Sequence, residues 1–146
     1  MPLWSAFTEA YVKKDFIWIR NIIKKMLIVF VFWILVGGIM LIGSNTIYGL
    51  WTGMELNIPY SLSAVVYLFM LTCCWNGIFI AFINGIGKIQ LQVLLSILPI
   101  LLMLPLSKLL ISVFHFGVTG IVLCMLLFNI ISSLMISIQV LSLIHI

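Results

Sequence analysis

Asn84-Gly85-Ile86-Gly87-Lys88-Ile89-Gln90-Leu91-Gln92 is the stretch that decides how this chain folds. It is short, polar and glycine-bearing, and it separates two long apolar runs, residues 60–84 and 89–113. Runs of that length are long enough to cross a bilayer as helices, at about 1.5 Å per residue through a hydrocarbon core of about 30 Å. The stretch therefore reads as a tight turn between two transmembrane helices. Its one cation, Lys88, marks which side of the membrane the turn faces.

The composition points the same way. Of 146 residues, 65% are hydrophobic and 7% charged, whereas a soluble domain carries about 25% charged residues. So little polar surface cannot coat a water-soluble globule. The apolar runs are too long for the strands of a membrane barrel and lack strict in/out alternation. An all-α integral membrane protein follows, because each helix satisfies its own backbone hydrogen bonds in lipid. Four spans are predicted, at about 26–44, 60–84, 89–113 and 118–142, in a region covering 26–146. Residues 1–25 precede them as an amphipathic, basic interfacial segment.

Five of the seven Lys and Arg residues lie in that segment: Lys13, Lys14, Arg20, Lys24 and Lys25. Trp4, Phe7 and Tyr11 recur at helical spacing, as do Phe16, Ile19 and Ile23, with Lys13-Lys14-Asp15 between the two sets. This reads as two amphipathic pieces lying on the membrane surface, with Trp4 and Trp18 at headgroup level. Membrane lipids are the expected partner of the basic patch. A nucleic-acid partner is excluded by the adjoining span and the lack of any reader motif. The positive-inside rule puts this segment in the cytoplasm, loop 45–59 outside and Lys88 back in the cytoplasm. Lys108 and His115 then fall outside, and both termini are cytoplasmic. Lone His115 reads as a bystander at the interface.

Within the spans, polar and small residues carry the information. Cys73, Gly77, Ala81 and Gly85 recur every four residues, a small-residue ladder that would let a neighbouring helix approach closely. Asn76, Asn84, Gln92 and Asn129 are candidates to line a cavity. A buried amide at such a position either hydrogen-bonds another helix as structural glue or marks a pathway. Pro99 and Pro105 inside the third span each remove a backbone donor and favour a kink. The cysteines, Cys73, Cys74 and Cys124, lie in apolar runs with no zinc spacing to a histidine. No nucleophile with a base, carboxylate pair or ligand cluster sits in or near a span, so no enzymatic, metal or cofactor chemistry is expected.

Two stretches carry a family resemblance. Pro2-Leu3-Trp4-Ser5-Ala6-Phe7-Thr8-Glu9-Ala10, followed by Lys14-Asp15 and Trp18-Ile19, resembles the cytoplasmic connection of bacterial polysaccharide exporters. These are the O-antigen flippases of the Wzx type, in the multidrug/oligosaccharidyl-lipid/polysaccharide (MOP) exporter superfamily. Asn84 to Gln92 resembles the turn before their penultimate pair of spans. The resemblance implies that the chain is the C-terminal part of a protein of about a dozen spans in two lobes, entering after the eighth. The fold would then be part of a MATE/MOP-like helical bundle in the bacterial inner membrane. The implied substrate is an undecaprenyl-diphosphate-linked oligosaccharide moved by alternating access, and the implied partner is the remaining lobe. No Lys or Arg lies at mid-span here, so the diphosphate-binding cations would belong to that lobe or to earlier helices, and this chain alone would not transport.

Two other readings stay open. A non-transporting four-helix scaffold subunit would use the Cys73/Gly77/Ala81/Gly85 ladder to hold a partner. A small multidrug-type transporter needs an embedded carboxylate, and Glu9, Asp15 and Glu55 all lie outside the spans.

Overall fold

A computed structural model describes residues 3–53, 58–113 and 115–145. Glu55, read above as part of a loop, lies outside these residues, as do Pro2, Phe114 and Ile146. Among the described residues there are six helices and no strand: α1 (Leu3–Val12), α2 (Phe16–Ile42), α3 (Ser44–Thr52), α4 (Tyr60–Ile86), α5 (Gln90–Ser112) and α6 (Gly117–His145). Four of them, α2, α4, α5 and α6, are long and apolar enough to cross a membrane. The protein is an all-α, multi-pass membrane bundle.

The basic segment differs from its sequence reading in one respect. Its first amphipathic piece is a separate helix, α1. Its second piece is not a separate helix but is continuous with the helix of the first span, so that α2 runs 27 residues. Lys24 and Lys25 therefore mark no break in the helix, in keeping with the good helix propensity of lysine. Asp15 starts this helix: its side chain accepts from Trp18 N–H at 3.0 Å, satisfying one of the amides the first turn leaves open. Lys14, at φ 57°, makes the bend that separates α1 from α2. Glu9 on α1 and Lys13, just past its end, pair four residues apart at 2.6 Å, and the Lys13 ammonium holds the Glu9 carboxyl below its ordinary range.

The segment expected as loop 45–59 contains α3, which ends on Gly53 in the left-handed region at φ 65°. The decisive turn is tighter than its sequence suggests. Helix α4 runs on through Ile86 and closes on Gly87 at φ 72°, and α5 begins at Gln90. Helix α5 is continuous through both Pro99 and Pro105.

Helix α6 is the hub of the span region. It packs on both α4 and α5, whereas α4 and α5 scarcely touch although a three-residue turn, Gly87 to Ile89, joins them. Consecutive helices usually neighbour one another in space; here α6 fills the place beside α4 and runs in the same direction. Helix α2 leans on α4 from the other side. There the Tyr67 hydroxyl donates to the Ile34 carbonyl at 2.8 Å, its ring against Gly37.

The core lies at the basic end. Phe7, Ile19, Phe82, Ile83, Ile136 and Val140 are fully buried there in one cluster drawn from α1, α2, α4 and α6. Phe7 meets Trp18 and Phe82 edge-on, with ring centroids 5.9 and 5.5 Å away. Such pairs add about 0.5–1.5 kcal/mol beyond area burial. Water is excluded at this end by aromatic packing, while the outer faces of α2 and α5 remain apolar and exposed, as surfaces that meet lipid must be.

Candidate functional site

The divergence of α4 and α5 opens a furrow of about 370 Å³ that α6 closes from behind. Three of the four residues expected to line a cavity come together in it: Asn76 from α4, Gln92 from α5 and Asn129 from α6, with Ser96 and Ser132 beside them. Phe69 and Phe128 supply aromatic walls. Helical spacing puts these side chains in one place. Gln92 and Ser96 are one turn apart on α5, and Asn129 and Ser132 are three residues apart on α6, so each pair shares a face.

An interhelical chain of hydrogen bonds ties the furrow's back wall. The Asn76 amide nitrogen donates to the Asn129 side-chain oxygen at 2.5 Å, and the Asn129 amide nitrogen donates to Cys73 Sγ at 3.0 Å. Further along, the Trp75 indole donates to Ser137 Oγ at 2.9 Å, and that hydroxyl donates to the Ser133 carbonyl. These bonds belong to the glue reading. Two acceptors are left over. The side-chain oxygens of Asn76 and Gln92 are buried and have no hydrogen-bond partner among the described residues. Asn76 is 7% exposed, so its oxygen is a buried acceptor beside an open space. An unpaired buried acceptor costs about 1–3 kcal/mol, and a hydroxyl or other donor entering the furrow would relieve it. Asn76 thus holds α6 through its nitrogen, while its unpaired oxygen is buried on a residue that lines the furrow.

The coupling across α4 and α6 is measurable. A double-mutant cycle over Asn76→Ala and Asn129→Ala is expected to give a coupling of about 0.6 kcal/mol, and at most about 1.7, in detergent-solubilised unfolding. Zero coupling would mean that the two amides do not meet.

The fourth candidate, Asn84, is not part of the furrow. It lies exposed on the last turn of α4, where its carbonyl accepts from Gly87 N–H. The small-residue ladder also disperses. Cys73 faces α6, Gly77 opens onto unoccupied space, Ala81 is half-buried against the core, and Gly85 packs under α1. The reason is geometric. Four residues advance about 400°, so a strict four-residue repeat drifts about 40° per step and turns through about 120° between Cys73 and Gly85. The close approach that the ladder offers occurs at Gly85, against α1 rather than another span. Thr8 on α1 completes it by donating its hydroxyl to the Gly85 carbonyl.

Sequence reasoning passed over two contacts at the same end. Arg20 donates to the Ile144 carbonyl at 3.1 Å, and the Gln139 amide donates to the Lys88 carbonyl at 3.2 Å. Together they tie the end of α6 to α2 and to the α4–α5 turn. Only the placement of a polar residue near each helix end signalled them.

Among the described residues no group of three His, Cys, Asp or Glu side chains could hold a metal ion. Fold and furrow together define a class: a multi-pass helical membrane protein with an amide- and hydroxyl-lined interior. Comparison with known proteins takes the assignment no further, since no family model, curated protein or solved structure matches this chain.

Proposed function

We propose that this chain is the C-terminal module of a bacterial inner-membrane flippase that carries lipid-linked oligosaccharide repeat units by alternating access, with both termini in the cytoplasm and the remaining lobe as its partner. The observation that carries the reading is the furrow. Two unpartnered amide oxygens, two serine hydroxyls and two aromatic faces suit a sugar, whose hydroxyls donate hydrogen bonds and whose ring faces stack on aromatics. Neutral amides also suit a ligand that moves on, because uncharged hydrogen bonds are made and broken at modest net cost. The sequence resemblance of the Trp4 and Lys88 regions to polysaccharide exporters supports the same substrate class. The diphosphate would be held by cations of the partner lobe. On this reading the chain is one part of a carrier, not an enzyme.

The test is made in the host bacterium. Asn76→Leu combined with Gln92→Leu removes both free acceptors at little change in volume. Expected is loss of surface polysaccharide, with lipid-linked repeat units accumulating in the cytoplasmic leaflet while the protein stays at its normal level in the membrane. Unchanged polysaccharide in both this variant and a deletion strain would overturn the transport reading. The scaffold reading would then take its place, and recovery of one stable partner in mild detergent would support it.

A further inference from the structure

A second opening lies on the other side of α4. It is a groove of about 440 Å³ between α2 and α4, lined by Lys25, Met26, Phe30, Trp33, Cys74 and Gly77 among others. It shares no residue with the furrow. From the geometry we infer that this groove holds one acyl chain of an anionic phospholipid, with the headgroup against Lys25.

Three observations support that occupant. The first is depth. Lys25 and Trp33 are eight residues apart on α2, about 12 Å along its axis, close to the roughly 15 Å of one leaflet's hydrocarbon. A chain entering beside Lys25 would reach the mid-plane where the groove ends. The second is charge. Lys25 is the one charged residue lining the groove. Among the described residues it has no carboxylate within ion-pair distance: Glu9 is engaged with Lys13, and Asp15 caps the start of α2. The mouth of the groove is therefore positive, with no carboxylate among the described residues to balance it. The third is the reason the groove exists. Gly77 is exposed and a Cβ there would meet nothing within 4 Å, so the missing side chain leaves a channel that a larger residue would close. Trp33, 54% exposed at the deep end, forms its floor well below the headgroup level where tryptophans usually sit. A free phosphate would satisfy Lys25 but leave the apolar channel unused, and a zwitterionic lipid would fill the channel without matching the charge.

Native mass spectrometry of the purified chain in mild detergent tests this. The probes are phosphatidylglycerol and phosphatidylcholine with identical acyl chains, at equal concentration. One surface cation favours an anionic lipid by roughly fivefold, and retention of phosphatidylglycerol over phosphatidylcholine is expected at about that ratio. Lys25→Gln should bring the ratio towards one, and Lys14→Gln, outside the groove, should leave it unchanged. Gly77→Leu should lower retention of both lipids; its Cβ would meet nothing within 4 Å, and leucine is the better helix former, so helix content by circular dichroism should match the unaltered chain. A ratio near one in the unaltered chain would overturn the assignment, as would a ratio indifferent to Lys25→Gln or retention indifferent to Gly77→Leu. Displacement by inorganic phosphate would show that the headgroup alone is held. Displacement by a polyprenyl phosphate at equal concentration would replace the phospholipid with a different occupant. None of these outcomes bears on the furrow.

Discussion

Phe7→Ala is expected to release α1 from the bundle. Phe7 is fully buried, and its ring is gripped edge-on by Trp18 of α2 and Phe82 of α4. Truncating a buried phenylalanine costs about 3–5 kcal/mol in lost transfer energy and residual cavity. Helix α1 has ten residues and little else to hold it: the Thr8–Gly85 hydrogen bond, the half-buried ring of Tyr11 and the buried Ala10. Isolated helices of that length are marginal in water, so the loss should exceed what the remaining contacts can offset. The expected result is local. Amide hydrogen exchange of residues 3–12 should rise to near the unprotected rate while the spans keep their protection. Retained protection of α1 would show that Phe7 is not its anchor.

Gly85→Ala should have a comparable effect from the other side of the contact. A Cβ on Gly85 would stand 2.6 Å from the Trp4 carbonyl oxygen and 2.9 Å from Phe7 Cβ. Neither atom is the far end of a flexible side chain, so α1 as a whole must move. Overpacking of this kind costs about 1–3 kcal/mol, against a gain of about 1 kcal/mol from the better helix propensity of alanine. The clash should win. Expected are a lower thermal midpoint in detergent and faster tryptic cleavage at Lys13 and Lys14. Gly77→Ala supplies the control, since it brings the same propensity gain on the same helix into open space. It should stabilise by up to about 1 kcal/mol. If both variants are stabilised, α1 does not sit as close to α4 as described.

These contrasts show where the sequence was readable. The four spans were legible because twenty or so apolar residues have no other use in so short a chain. Lys24-Lys25 misled only as to where the helix of the first span begins: the pair looks like a helix boundary, yet lysines are good helix formers and leave the backbone unbroken from Phe16 to Ile42. Helix α3 was hidden by Asn45, Thr46 and Gly49, residues common in loops, and it forms all the same within nine residues. The furrow was half legible. Asn76, Gln92 and Asn129 announce themselves as amides among hydrocarbons, but which of them meet depends on helix adjacency. Sequence order suggests that α4 and α5 pair; instead α6 takes the place beside α4. Asn84 has the same chemistry as Asn76, eight residues on, and differs only in standing at the helix end. The glycine ladder failed as a single surface because a repeat of four outruns the helical period, a drift that can be counted from the sequence but whose neighbours cannot.

The placement of α6 between α4 and α5 also bears on how the protein is made. The Asn76 amide finds its partner 53 residues later in the chain. At about 5–20 residues per second of synthesis, that delay is roughly 3–10 s. Through that interval the α4–α5 hairpin must reside in the membrane or its insertion machinery with the amides of Asn76 and Gln92 still waiting for a wall behind them. Assembly of the furrow therefore waits for α6: only when Asn129 arrives does α4 gain its interhelical partner and the α4–α5 hairpin its back wall.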